Sequence, residues 1–316
     1  MERITEPLFL QSTMHEKIWG GNRLRKLFNY DIPSETTGEY WAISAHPNGP
    51  STVINGSLAG QTLDQIYKDH PELFGHPTSP VFPLLTKILD ANEWLSVQVH
   101  PDDTYALEHE GELGKTECWY VLHADPGAQI IYGHQARTRD ELVEKINEGA
   151  WEELLTYTPV QTGDFFYVPS GTLHAIGPGI LILETQQSSD TTYRVYDFDR
   201  LDDQGKARPL HINQSLDVLS IEKPQNSTPS HVHIDHLSLT TLVTNPFFTV
   251  EKWDIDGPIT VQQTTPYSLI SVIDGLGILI CDGQEYPIKK GDHFILPTSI
   301  QKWSYTGNLS LVVSHI

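Results

Sequence analysis

Cysteine is nearly missing from this chain of 316 residues. Only Cys118 and Cys281 occur, far apart in sequence. That excludes a disulfide framework and fits a reducing compartment. No apolar run approaches the ~20 residues that a membrane helix needs. The first residues carry no charged segment leading into an apolar stretch, so no secretory leader is expected. Positive charge is also scarce: 20 Lys and Arg stand against 41 Asp and Glu, a formal net charge of −21. So acidic a chain is a poor partner for nucleic acid or an anionic membrane. Any anionic ligand would need a local cluster of cations. Lys87, Lys115 and Arg194 are candidates for that cluster. These absences agree with a soluble cytoplasmic enzyme, and a small-molecule partner and a monomer or weak homo-oligomer are expected. The length exceeds what one core usually fills, so two are expected beyond ~250–300 residues.

The most informative stretch is Gly163-Asp164-Phe165-Phe166-Tyr167-Val168-Pro169-Ser170-Gly171-Thr172-Leu173-His174. Gly163-Asp164 signals a turn, and the aromatic and β-branched run after it suits a buried strand. Pro169 has no N–H for the ladder, and Gly171 allows a second tight turn. His174 is then delivered rigidly at the start of the next strand, as a candidate metal ligand. The pattern resembles the second motif of the cupin barrels, so partners are expected upstream. Gln98 and His100 lie two apart in Ser96-Val97-Gln98-Val99-His100-Pro101 and share a strand face. Lys115 and Glu117 are related in the same way in Gly114-Lys115-Thr116-Glu117. Gln98, His100, Glu117 and His174 form an O,N,O,N donor set that suits zinc and its neighbours and argues against Cu(I).

The rest of the chain divides around these motifs. Capping-box patterns at Thr62-Leu63-Asp64-Gln65 and Thr138-Arg139-Asp140-Glu141 open two helices. Residues 105–110 form a helical excursion, and 151–155 continue the second helix after a break at Asn147-Glu148-Gly149. A polar loop follows at 201–208, with Asp202-Asp203-Gln204-Gly205, and 222–230 is the expected linker. Beyond it, Val272-Ile273-Asp274-Gly275-Leu276-Gly277 to Gly283 reads as strand, turn and strand. Gly291-Asp292-His293-Phe294-Ile295-Leu296-Pro297 then repeats 163–169 position for position, but Lys302 stands where the spacing calls for a metal histidine. The expected fold is mainly β: two cupin-type jelly-roll barrels with a small helical insertion in the first. Residues 1–221 hold the N-terminal region and metal barrel, and 222–316 a degenerate barrel without metal. His231-Val232-His233-Ile234-Asp235-His236 is a decoy, expected on an edge strand near the surface.

Several motifs together resemble the class I mannose-6-phosphate isomerases in their short bacterial form. They are Trp19-Gly20-Gly21, Gly38-Glu39-Tyr40-Trp41, His46-Pro47-Asn48-Gly49, Gln98-Val99-His100-Pro101-Asp102-Asp103, Gly114-Lys115-Thr116-Glu117, residues 163–174, and Ser189-Asp190-Thr191-Thr192-Tyr193-Arg194-Val195-Tyr196-Asp197. The resemblance implies one zinc on Gln98, His100, Glu117 and His174, and interconversion of mannose 6-phosphate with fructose 6-phosphate. Zinc can polarise sugar oxygens and stabilise an enediolate without a redox step. Glu184 follows the apolar run 180–183, where a charge is costly unless it serves a site, and it is the candidate base. Arg194 reads either as a structural ion pair or, by the resemblance, as an active-site cation; Lys115 is carried over as a substrate-side cation and Lys87 as a further candidate. Two other classes stay open: a metal-dependent cupin oxygenase, which prefers more histidines, and a non-catalytic sugar-binding cupin, which needs no base.

Overall fold

Short β-branched and aromatic runs separated by glycine turns make this chain a stack of antiparallel sheets, as the sequence predicts. The computed structural model describes residues 4–202 and 204–316. Asp203 of the expected polar loop lies outside them. The first barrel is built from a six-stranded and a five-stranded sheet. The first sheet carries Glu117–Ala124 and Ile180–Gln187; the second carries Val97–Val99 and His174–Ile176. Trp119, Val121, Ile130, Ile176 and Ile182 form the core between them. The alternating partners Val97 and Val99 face the other way, onto Leu142, Ile146 and Leu154 of the helical insert.

That insert consists of Arg139–Glu148 and Trp151–Leu154. Thr138 caps it by accepting the Glu141 N–H at 3.2 Å. The Glu141 carboxylate reaches back to the N–H of Arg137 instead of Thr138, so the expected reciprocal box closes one residue early. In the Leu63–Asp69 helix the box is complete, with Gln65 accepting from the Thr62 N–H. The excursion before Glu117 is the helix Asp103–His109.

A ten-stranded sheet builds the second barrel. The expected turn at Asp274-Gly275 is not a reversal. One strand, Ser268–Cys281, runs straight through it. The pairing slips between Val272 and Asp274, so Ile273 is the extra residue of a bulge, and Gly275 continues the ladder opposite Leu309 at φ +86°. Residues 222–229 form neither helix nor strand. The strand Leu8–Gln11 lies in this C-terminal sheet, with Leu8 opposite Ile295 and Leu10 opposite Val53. An apolar core containing Tyr40, Ile88, Leu183, Tyr267, Ile295 and Val312 joins the two barrels.

The repeated motif is visible in the backbone: Gly163 and Gly291 open it at φ +93° and +94°. The counted equivalence of Lys302 with His174 fails, however. Lys302 is exposed, whereas Trp303 is buried among Ile259, Leu296 and Tyr305. Strand side chains alternate, so one extra residue after Pro297 changes the face, and an indole takes the histidine's place. The decoy strand Ser230–Ile234 is an exposed sheet edge, and His231 and His233 bond to Thr240 and Ser238.

Candidate active site

Four strands bring the predicted ligands together. His174 pairs directly with Gln98, and His100 follows two residues later beyond the end of Val97–Val99. Val168, just before the turn that delivers His174, pairs with Glu117. The result is a buried cluster of His100, Glu117 and His174 whose donor atoms lie within 4.8 Å of one another. His100 Nε2 is 3.4 Å from one Glu117 oxygen, and His174 Nε2 is 3.4 Å from the other.

The hydrogen bonds fix the character of this cluster. His100 Nδ1 faces the Thr191 carbonyl at 3.0 Å, and His174 Nδ1 faces the Thr172 carbonyl at 2.9 Å. A carbonyl can only accept, so each Nδ1 carries the proton and each Nε2 presents a lone pair. Burial lowers both imidazoles, His100 well below its ordinary range and His174 to about 4, so both are neutral near pH 7. Burial pushes Glu117 up, against the opposing pull of Lys115 and Lys87. Two lone pairs therefore point at a carboxylate, acceptor against acceptor. His100 Nε2 and Glu117 Oε2 have no hydrogen-bond partner. Buried polar atoms left this way are costly, and a cation between them relieves both at once. Nitrogen and oxygen donors on histidines oriented by carbonyls are a zinc-type arrangement. Gln98 is turned differently: its oxygen accepts from Ser96 at 3.3 Å and its amide nitrogen faces His174 Nε2 at 3.3 Å.

Beside the cluster is a cavity of about 270 Å³. Gln98, Lys115, Glu184 and Arg194 all line it, as does Lys87. The indole of Trp119 donates to both Glu117 and Glu184, at 3.0 and 3.1 Å, and so ties the candidate base to the carboxylate of the cluster. Burial and then the neighbouring Glu117 push Glu184 up to about 7. Lys115 sits 3.6 Å from Glu117. Burial works against its charge, but Glu117 and Glu184 outweigh that and raise it. Arg194 projects from Tyr193–Tyr196, is half-buried, and donates to the Pro209 carbonyl at 2.9 Å. Its Nε is unpartnered. No carboxylate among the described residues lies within ion-pair distance of it, because nearby Asp197 is taken by Arg200 and Arg208.

Sequence reasoning left several lining groups without a role: Lys17, Asp190 and Arg208, with Glu39 named only as a possible neighbour. Glu39 is gripped by Lys17 at 3.1 Å, Lys87 at 3.8 Å and the Trp41 indole at 2.7 Å. Burial would raise Glu39, but these partners overcome it and hold the carboxyl at about 2. One signal was legible. Glu39-Tyr40-Trp41 and Glu117-Cys118-Trp119 share a Glu-x-Trp spacing that puts indole and carboxylate on one strand face. His46 lies one layer away, 3.4 Å from Glu112, which in turn accepts from Ser189, Asp190 and Thr191.

Residues 8–129 match the family described as phosphomannose isomerase type I, catalytic domain, and residues 238–316 match the mannose-6-phosphate isomerase cupin domain. The mannose-6-phosphate isomerase of Streptococcus mutans is 65% identical over 312 residues, covering 99% of each chain. The crystal structure of mannose 6-phosphate isomerase from Bacillus subtilis superposes with a TM-score of 0.96 at 50% identity, covering 98% of this chain and 99% of that one. A phosphomannose isomerase mutant from Salmonella typhimurium shares the fold, with a TM-score of 0.79 at 15% identity over 98% of this chain and 99% of that one.

Proposed function

This chain belongs to the type I mannose-6-phosphate isomerases, and we propose that the cavity of its first barrel is where the reaction takes place. Its activity is the interconversion of mannose 6-phosphate and fructose 6-phosphate. In this reading residues 1–221 carry the chemistry and 222–316 do not. The observation that carries it is the convergence of two imidazole lone pairs on the Glu117 carboxylate beside a buried second carboxylate. His100, Glu117 and His174 would hold one zinc ion, with Gln98 as a fourth donor if its amide turns over. Bound there, the ion would supply Lewis acidity toward the sugar oxygens.

The remaining work falls to the protein's own groups. Aldose–ketose exchange moves a proton between C1 and C2. Glu184 is the group that takes and returns it, because its raised affinity for protons matches a base working near neutrality. Trp119 fixes its position. Arg194 and Lys115 face negative charge as it develops on the sugar oxygens. The phosphate is drawn by the cavity's cations, Lys17, Lys87 and Arg208 among them, against a repulsive overall field. No helix among the described residues is long and apolar enough to cross a membrane, and the substrate is a small sugar phosphate.

Two measurements test this. Glu184 must be ionised to accept a proton, so kcat/KM should fall about tenfold per pH unit on the acid side. Its carboxyl titrates at about 7 before any cation is bound, and a cation lowers it, so the acid limb should lie at or below about pH 7. A flat profile from pH 4 to 8 would remove Glu184 from the role. Arg194→Ala should lower turnover by about two to three orders of magnitude with metal content unchanged, the scale of losing one preorganised donor. Arg194→Lys should recover little, because an ammonium lacks the planar fork. Wild-type turnover in Arg194→Ala, with only a lower melting temperature, would make the arginine a structural group.

A further inference from the structure

The second barrel contains a cavity of about 270 Å³ that the isomerase reaction does not use. Strand register relates it to the first. Val168 and Leu296 both stand five residues after their motif glycine; Val168 pairs with Glu117, and Leu296 pairs with Ser268. Ser268 therefore occupies the place of the metal-cluster carboxylate. Two residues on, Trp119 pairs with Glu184, whereas Ile270 pairs with Val313. Glu184 pairs in turn with Lys87, and Val313 with Glu251, so the base becomes a methyl-bearing residue and the cation beside it an acid. Gln98 pairs with His174, and Val261 with Trp303, which puts Gln263 where His100 stands. Even the cross-cavity contact recurs. His100 approaches Glu117 at 3.4 Å, and the Ser268 hydroxyl donates to the Gln263 oxygen at 3.3 Å.

We propose that this second cavity is a metal-free binding site for a small uncharged sugar. Ser268, Gln263, Glu251, Val313 and Trp303 all line it. The substitutions have removed the metal donors, the base and the cations together. Among the described residues no Lys or Arg lines the cavity, and the carboxylate of Glu251 repels a phosphate. What remains is an apolar wall with two indoles, Trp253 and Trp303, and a few groups that bond hydroxyls. That is the usual make-up of a small-molecule pocket. Glu251 keeps acceptor capacity beyond the one bond it takes from Trp253 at 2.8 Å. The buried Trp303 N–H and Tyr305 hydroxyl make no well-formed hydrogen bond.

The experiment is a titration of the full chain with mannose, followed by tryptophan fluorescence and calorimetry. Saturable binding in about the millimolar range is expected, the scale for a dozen heavy atoms without charge. Val313→Phe places a ring in the cavity and should weaken mannose binding at least about tenfold by steric exclusion, with isomerase turnover unchanged within about twofold. Gln263→Leu, which fills nothing, should weaken it in the same direction. His174→Ala should bind mannose as the unaltered protein does. Absence of saturable binding to the folded wild-type chain overturns the proposal. So does binding that survives in a folded Val313→Phe, or in Gln263→Leu should the first variant not fold. Binding lost in His174→Ala would place the sugar in the first barrel and likewise end the idea.

Discussion

His174→Ala should yield a folded protein that carries no metal and has lost at least about three orders of magnitude in turnover. The imidazole is one of three groups whose lone pairs meet, and removing it leaves His100 and Glu117 with only the weak amide oxygen of Gln98 to add, too little to hold zinc. Lewis acidity toward a sugar oxygen contributes several kcal/mol, and about 4 kcal/mol corresponds to about a thousandfold in rate. The fold should survive, because His174 is neutral, and its loss also relieves the crowding of acceptors around Glu117. Elemental analysis of the purified chain should give about one metal for the unaltered protein and none for the variant. His231→Ala, on the exposed edge strand, should keep its metal. Stoichiometric metal in His174→Ala would dismantle the assignment.

The second large effect is expected of Glu184→Gln, and its two consequences run in opposite directions. Loss of a positioned base should lower kcat by about two to four orders of magnitude. Stability of the metal-free protein should rise. Burial lifts the Glu184 carboxyl from 4.5 to about 7 in the folded chain. Above 7 the folded state holds a desolvated charge that the unfolded chain would hydrate, so the glutamate destabilises there; below 4.5 it is protonated in both states and costs nothing extra. The melting advantage of Glu184→Gln should therefore be largest near pH 8 and shrink as pH falls toward 4.5. Thermal melts across that range decide it. A variant that is less stable at pH 8 would mean that the charge is held for structure.

The ligand cluster was legible because each donor sits in a local frame that the sequence specifies. Gly163 and Gly171 supply turns, Pro169 ends a ladder, and the two-residue period puts Gln98 with His100. Glu184 and Arg194 could be picked out because each interrupts an apolar strand, and both do line the cavity. Lys17, Asp190 and Arg208 could not be picked out, since a charge at the rim of a barrel looks like any solvated charge until the fold brings it round. Lys302 shows the limit of counting. The Gly-Asp to Pro spacing is shared by both barrels, yet one residue in the following turn reverses which side chain looks inward. Asp274-Gly275 fails for a related reason: a glycine can take positive φ inside a continuous strand as well as in a turn. Pairing partners decide between the two, and they are remote in sequence.

The strand Leu8–Gln11 has a bearing on how the protein is made. It leaves the ribosome long before its ladder partner, His293–Leu296. At about 5–20 residues per second, the two meet only some 15–60 s after the first strand appears. Until then an apolar strand with open backbone groups is exposed to other nascent chains. The first barrel's own strands, all of which lie between Thr13 and Tyr196, can pair meanwhile. Final closure is thus a late, long-range step, the kind that slows folding. Cutting the chain into separate barrels would leave the C-terminal piece without that strand and the N-terminal piece with a strand paired on one side alone, to Thr52–Val53.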